Sequence, residues 1–188
     1  GKVDLTLGAP QGLTAGRVVV DLKAGAPHAG HADDLRFYAL LDVMNLRITE
    51  VLREKLALIY GGGMNGGLNK IPYGNYAIDV SLPTGPANVD QVIAATFAQI
   101  ERMKQFGPDE ADLDKVRQGW LEGHRKSLRE NAYWASRLDS ALLQGLDPAS
   151  ILTYEKQVAQ LTPEDVKNAA RRYFDMQNYV QVVLYPEL

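Results

Sequence analysis

Residues 35–56 read LRFYALLDVMNLRITEVLREKL, and this stretch decides the fold. Its apolar residues recur at spacings of three and four positions, which is the periodicity of an amphipathic helix. Between Leu35 and Met44 the pattern is apolar on nearly every side. We therefore predict one long helix from about Ala32 to Leu56 and expect its first half to lie in the core of the protein.

Strand patterns lie on both sides of this helix. Residues 3–7 alternate apolar and polar, and residues 18–22 form a β-branched run bounded by glycines. Residues 76–82 alternate until Pro83, and residues 179–184 close the chain as another apolar run. Alternation and β-branched runs bounded by glycine or proline are typical of β-strands.

The second half of the chain is predicted to be nearly all helical. Thr162 and Pro163 supply an N-cap hydroxyl and a first-turn proline, which is a strong signal for a helix start. The helical patterns cover residues 89–103, 113–128, 134–143, 151–161 and 163–174. Strands at both ends and in the middle, with helices grouped between them, predict an α+β fold with an antiparallel sheet and helices packed mainly on one face. We treat residues 1–188 as a single domain.

The composition of the chain excludes several classes of protein. The chain has 20 Lys and Arg against 23 Asp and Glu, a net charge of −3 that is too close to neutral for a nucleic-acid-binding protein. It has no cysteine, which excludes disulfides, thiolate nucleophiles and cysteine-ligated metals. No apolar run is long enough for a membrane span. The chain begins at Gly1 rather than Met, so we expect it to be a piece of a longer protein.

The glycine-rich residues 61–67 do not fit a phosphate-binding loop, because a P-loop needs Gly-Lys-Ser/Thr at the start of a helix. We interpret them as a flexible or bulged connection between strands. His28 and His31 with Asp33 and Asp34 form a possible metal cluster, but acidic residues before a helix are expected for capping alone. We therefore predict no metal site in this chain.

His124 shares a predicted helix face with Trp120 and Leu128, so we expect a partly buried structural histidine. The sequence contains no Gly-x-Ser-x-Gly, His-Glu-x-x-His or His-x-x-Glu-His motif. It therefore carries neither a serine-hydrolase elbow nor a zinc-protease site, and we predict no catalytic residue in the chain.

Arg53 and Tyr60 stand out at the end of the long helix. Their spacing is nearly two helical turns, so both side chains could point to one spot. By residue type alone, Arg53 would be a solvated helix-terminal cation and Tyr60 an ordinary strand aromatic. Without further information, these ordinary structural roles are the preferred interpretation of both residues.

A family resemblance changes that balance. Residues 52–56 (LREKL) followed by Tyr60-Gly61 resemble the helix-to-strand signature in the C-terminal half of insulinase/pitrilysin-type zinc proteases, the inverzincin family. The likeness continues through residues 81–83, 161–166 and 182–187 and spans the chain from about Gly16. The most similar type is the bacterial, processing-peptidase-like protease, which implies a LuxS/processing-peptidase-like metalloprotease domain.

The resemblance implies a non-catalytic, substrate-binding domain of a larger zinc peptidase. In that family the N-terminal half carries the His-x-x-Glu-His zinc site, and the C-terminal half closes over it to form half of the peptide chamber. The resemblance assigns substrate binding to Arg53, through donors to peptide carbonyls or a terminal carboxylate, and oxyanion binding to Tyr60. Zinc is expected only in the N-terminal half, so this chain alone should be inactive.

The expected partners are the N-terminal catalytic half or a partner subunit, together with a peptide substrate. The resemblance favours the bacterial periplasm over the cytoplasm. The glycines at 61–67 depart from the family pattern and weaken the case for an edge strand that pairs with a peptide. Two alternatives stay open: an inactive scaffold subunit with the same fold, and a small-molecule-binding domain with a deep apolar pocket.

Overall fold

The computed structural model describes residues 2–8, 16–25, 31–69 and 74–185. Its strands form one five-stranded sheet in the order β1-β5-β2-β4-β3. The strands are β1 (Lys2–Gly8), β2 (Gly16–Gly25), β3 (Gly63–Asn69), β4 (Asn75–Thr84) and β5 (Tyr179–Tyr185). Both predicted N-terminal strands, the strand at residues 76–82 and the closing strand are therefore confirmed.

The sheet is antiparallel except at one edge. The pairs β2–β4, β2–β5 and β3–β4 are antiparallel, whereas β1 runs parallel to β5 with Lys2 opposite Tyr179. The last strand, β5, lies between β1 and β2. The first and last strands of the chain are therefore neighbours at one edge of the sheet. The predicted α+β class is confirmed, and the parallel pair is a detail that the strand patterns alone did not contain.

Helices make up most of the rest of the described chain. They are α1 (His31–Arg47), a π-helix (Ile48–Lys55), α2 (Val89–Phe106), α3 (Glu110–Ser127), α4 (Asn131–Gln144), α5 (Tyr154–Ala159) and α6 (Pro163–Tyr173), with short 3₁₀ turns at Pro86–Asn88 and Pro148–Thr153. The start of α6 has a full capping box, because Thr162 Oγ1 accepts from the Asp165 N–H and Asp165 accepts from the Thr162 N–H. None of the helices in the described ranges is long and apolar enough to cross a membrane.

Helix α1 lies in the core, as its all-round apolar pattern predicts. Phe37, Leu40 and Met44 are fully buried, and α1 packs against β3 and α6. The Phe37 ring meets the Tyr173 ring edge to face with 5.0 Å between centroids. Tyr76 of β4 meets Tyr173 in the same way at 5.1 Å, so a small aromatic cluster joins the sheet to both helices.

The two faces of β4 differ in burial. One face packs on the helices, and its side chains are buried: Tyr76, Ile78, Val80, Leu82 and Thr84. The other face keeps its side chains half-exposed: Asn75, Ala77, Asp79, Ser81 and Pro83. This alternation follows from the two-residue period of a strand and leaves one sheet face accessible.

Two local predictions were wrong. The long helix does not stay α-helical to Leu56, because its last part, Ile48–Lys55, is a π-helix. The glycine-rich residues are not a flexible connection, because residues 63–69 form the edge strand β3 paired with β4. A side chain at Gly66 would lie 2.7 Å from the Ala77 carbonyl oxygen and 3.1 Å from the Leu41 and Phe37 side chains, so close packing on α1 requires glycine there.

Candidate functional site

The π-helix presents Arg53 to solvent. Its buried side chains are Ile48 and Leu52, which fix the helix against the core, while Arg53 is exposed. A π-helix makes a wider turn than an α-helix, and π-helical turns often occur at functional sites.

Glu50, one turn before Arg53 on the π-helix, pairs with other cations. The Glu50 carboxylate accepts from Lys55 Nζ at 2.6 Å and from Arg47 Nη1 at 3.0 Å. The hydrogen bond from Lys55, with the charge of Arg47, lowers the pKa of Glu50. Arg53 itself forms no hydrogen bond or ion pair with any residue that the structure describes. Its guanidinium N–H donors therefore have no partner among the described residues.

Arg47 ties the start of the π-helix to neighbouring helices. Besides Glu50, its guanidinium contacts Gln99 Oε1 of α2 at 3.4 Å and the Asp109 carboxylate just before α3 at 4.0 Å. The Arg47 side chain is only 13% exposed, whereas that of Asp109 is 60% exposed. The base of the π-helix is thus anchored on both sides.

The turn that follows is held by its backbone. Ala57 adopts a φ of +49°, which is uncommon for a residue with a side chain. The Leu58 N–H donates to the Leu52 carbonyl at 2.8 Å, and the Leu58 carbonyl accepts from the Thr84 hydroxyl. Ile59 then forms a β-bridge with Thr84. These bonds join the end of the π-helix to the end of β4.

Gly62 completes the turn. Its φ is +90°, and a Cβ atom there would lie 2.1 Å from the Ser81 carbonyl oxygen and 2.8 Å from Pro83. Only glycine fits, for reasons of both backbone angle and space. Asn45 then holds the start of β3, because its amide donates to the Met64 carbonyl at 2.8 Å and its oxygen accepts from the Met64 N–H at 2.7 Å.

Tyr60 projects from this fixed turn. Its N–H donates to the Pro83 carbonyl at 3.3 Å, while its side chain is 75% exposed. The hydroxyl lies near the end of β4, since a Cβ atom built at Gly85 would be 4.0 Å from it. Within the described ranges the hydroxyl has no hydrogen-bond partner. The structure thus places Arg53 and Tyr60 on the surface of one anchored segment, with free donors on both.

The other candidate residues have structural explanations. His28 lies outside the described residues, and Asp33 contacts Arg172 Nη1 at 3.0 Å and Arg36 at 3.7 Å. In the part of the chain that the structure describes, no group of three His, Cys, Asp or Glu residues could hold a metal ion. The prediction for His124 is confirmed, because it is buried and its Nδ1 lies 2.8 Å from the Tyr133 hydroxyl.

Sequence reasoning missed the residues that position the site. Asn45 could have been noticed, because it is a polar residue between Met44 and Leu46 in an otherwise apolar stretch. Nothing in the sequence marks Ala57 as having a positive φ. Gly62 is one of several glycines in the sequence. Only the close approach of β4 in the structure shows that this position requires glycine.

The segment that carries Arg53 and Tyr60 lies within a match to a known protein family. Residues 28–119, which include both Arg53 and Tyr60, match the sequence profile of the peptidase M16 inactive domain. Over these residues the chain resembles the M16 peptidases. This is the insulinase/pitrilysin family to which the sequence pointed, so the resemblance is confirmed. No curated protein matches the chain.

Solved structures of two proteases and of one peptidase M16 inactive domain share the whole fold. The periplasmic protease PqqL from Escherichia coli superposes with a TM-score of 0.84 at 16% identity over 99% of this chain. A protease from Helicobacter pylori gives 0.81 at 18% over 99%, and a peptidase M16 inactive domain from Pseudomonas fluorescens gives 0.72 at 18% over 100%. The chain spans 21%, 45% and 44% of those three structures. Each of them therefore contains this fold within a longer chain.

Proposed function

We propose that this inactive M16 domain binds peptide substrate for a larger zinc peptidase, with Arg53 and Tyr60 as the substrate-binding residues. The observation that carries the proposal is the pairing of free donors with a fixed backbone. Both side chains are exposed and unpartnered among the described residues, yet the segment between them is held by the bonds to β4 and by a turn that requires Gly62.

The two side chains have complementary chemistry for a peptide. The Arg53 guanidinium offers a planar fork of N–H donors that suits a backbone carbonyl or a terminal carboxylate. The Tyr60 hydroxyl can donate to a carbonyl oxygen and stabilise the negative charge that develops on that oxygen during hydrolysis. Neither group needs to move a proton, so both act by orienting and stabilising the substrate.

The accessible sheet face supports a role as one wall of a peptide chamber. Asp79 and Ser81 of β4 are half-exposed on this face, and Val180, Val182 and Leu184 of β5 are half-exposed opposite the core-facing Val183. A mixed polar and apolar surface of this kind suits an extended peptide, whose backbone is polar and whose side chains vary.

Zinc would come from another part of the peptidase. The described residues offer no group that fits a metal, and the sequence has no His-x-x-Glu-His motif. In the family this ion supplies the activated water for hydrolysis. The proposal therefore assigns this chain only the binding and orientation of the peptide.

The test uses the peptidase with its zinc-bearing half present. We expect Arg53→Ala and Tyr60→Phe each to lower kcat/KM by about tenfold, and the double variant by about 100-fold, because each removes a hydrogen bond to a charged or partly charged substrate group. Zinc content and the unfolding midpoint should not change. Arg129→Ala, which removes another exposed arginine, is the matched control and should keep full activity.

Unchanged turnover in the double variant would rule out the assignment of these residues. In that case the scaffold alternative would predict retained binding to a partner subunit. A His-x-x-Glu-His motif encoded in the same gene favours the peptidase, and its absence favours a scaffold or a two-chain enzyme.

A further inference from the structure

A second candidate site lies on the helical side of the domain. A cleft of about 660 Å³ opens between α1, α3, α4 and α5, with Leu68 and Asn69 of β3 also in its lining. We call it the helical cleft. None of its lining residues belongs to the segment 48–63 that carries Arg53, so it is a separate feature of the surface. Its volume is in the range of sites that bind small organic groups.

Aromatic rings line much of the helical cleft. Tyr38, Trp120, Tyr133 and Tyr154 contribute to its walls, together with the apolar side chain of Ile151. The Trp120 indole N–H donates to the Asp42 carboxylate at 2.7 Å, which fixes the orientation of its ring. Rings in this arrangement suit an apolar or aromatic group, since they offer large apolar faces at little entropic cost.

Arg137 is the cation of the helical cleft. Its guanidinium carbon lies 5.4 Å from the centre of the Tyr133 ring and 5.6 Å from that of Tyr154, so two rings hold it in place. No hydrogen bond or ion pair links Arg137 to another of the described residues. A guanidinium that is oriented by stacking, with its N–H donors unused, suits a carboxylate.

The surrounding charges select the type of anion. Asp34 and Asp42 line the α1 side of the cleft, so a ligand with several negative charges would meet repulsion there. His124 packs on Tyr154 with 4.7 Å between ring centres, and burial lowers its pKa, so it adds no positive charge near neutral pH. A cleft lined by one guanidinium and two carboxylates fits a monocarboxylate better than a phosphate or a dicarboxylate.

We propose that the helical cleft binds an apolar or aromatic residue through its free carboxylate, with Arg137 as the carboxylate-binding residue. The C-terminal residue of a peptide has this chemistry. Apolar surface continues at the rim of the cleft, because Leu143 of its lining is 68% exposed and Leu142 and Leu152 beyond the lining are 73% and 78% exposed. That rim favours a peptide over a free amino acid, since further residues would cover it. The inference does not depend on the role of Arg53 and Tyr60.

The test compares N-acetyl-L-phenylalanine with its amide, using the two tryptophans of the chain as reporters in NMR titrations. Trp120 lines the cleft, so its indole resonance should shift saturably as ligand is added. The indole N–H of Trp134 donates to the Leu128 carbonyl, and its resonance should not shift. We expect the amide to bind at least about tenfold more weakly, because it loses a charge-assisted hydrogen bond.

Variants test the role of Arg137 itself. Arg137→Gln should bind the acid and the amide equally, Arg137→Lys should retain part of the preference, and Arg129→Gln outside the cleft should behave as the unchanged chain. A short peptide ending in phenylalanine should bind more tightly than N-acetyl-phenylalanine if the rim contributes, which identifies a peptide as the source of the carboxylate.

The proposal would be overturned by equal affinity for acid and amide in the unchanged chain, by a Trp120 resonance that does not shift, or by an unaltered preference in folded Arg137→Gln. If Arg137→Gln does not fold, the acid-against-amide comparison in the unchanged chain decides alone.

Discussion

Arg53 and Arg137 are two arginines without an ion pair among the described residues, and the protein holds them in different ways. Arg53 is exposed, and its position is set by the backbone around it: the buried Leu52, the positive φ of Ala57 and the glycine at 62. Arg137 is half-buried, and its position is set by side-chain stacking on Tyr133 and Tyr154.

The difference teaches how each site should respond to mutation. A group positioned by the backbone depends on contacts that also stabilise the fold, so changes near Arg53 should cost stability as well as function. A group positioned by stacked side chains can be altered with a smaller effect on the fold. We therefore expect the largest effects in the segment 48–63 and the smallest beside the helical cleft.

Removal of the buried anchor of the π-helix should have the largest effect. Leu52 is fully buried, so Leu52→Ala should lower the free energy of unfolding by about 3 kcal/mol through lost burial and a cavity. Urea unfolding followed by circular dichroism measures this change. The control is Leu56→Ala, at a side chain that is 50% exposed, which should cost less than about 1 kcal/mol. Equal effects of the two variants would show that the π-helix is not anchored through Leu52.

The glycine of the turn should come next. Gly62→Ala forces a side chain to a φ of +90° and against the Ser81 carbonyl oxygen, so it should destabilise the fold by about 2 kcal/mol. Gly61→Ala is the matched control, because a Cβ atom there meets nothing within 4 Å. The same urea titration separates the two variants. A harmless Gly62→Ala would mean that the turn does not have the rigidity on which the Arg53 and Tyr60 proposal rests.

Asn45 should have a smaller effect. Asn45→Ala removes both hydrogen bonds to Met64 and should lower stability by about 1 kcal/mol. Hydrogen exchange should also show faster exchange of the Met64 amide, because its partner is lost. Asn65→Ala on the same strand, where the side chain is exposed, should leave both readouts nearly unchanged. Slow exchange at Met64 in Asn45→Ala would contradict the bonding seen in the structure.

The pH dependence of His124 should give the smallest effect. Burial lowers the pKa of His124 in the folded state, so the unfolded chain binds a proton more readily than the folded chain. Its contribution to stability is therefore present above the unfolded pKa of about 6.5 and is lost as the pH falls towards the lower folded pKa.

The measurement is the urea midpoint between pH 7.5 and pH 5 for the unchanged chain and for His124→Gln. The variant should lose less stability on acidification, since the other titrating groups are common to both proteins. Identical slopes would show that His124 does not contribute to the pH dependence, and the charge balance assigned to the helical cleft would need revision.

Much of the fold could be predicted from the sequence. The three- and four-residue spacing of residues 35–44 predicted a core helix, and the two-residue alternation of 76–82 predicted a strand with one buried face. The Thr162 cap could also be read directly, since it depends on residues next to each other. These features are local, so their signal is contained in a short stretch of sequence.

The site could be predicted only in part. The residues Arg53 and Tyr60 were identified through the family resemblance, and the M16 match covers both of them. Their roles stay a prediction. The strand β3 was missed because its glycines carry no alternating pattern, and the π-helix was missed because the side-chain spacing of residues 48–56 also fits an α-helix.

The sequence by itself determined which segments are helices and strands and which face of each is apolar, because those properties follow from neighbouring side chains. The tertiary structure alone decided that β1 runs parallel to β5, that Gly62 meets Ser81, and that Arg137 of α4 stacks on Tyr154 of α5. Each of these depends on the approach of segments far apart in the chain or on the path between them, and local side-chain preference does not encode such distances.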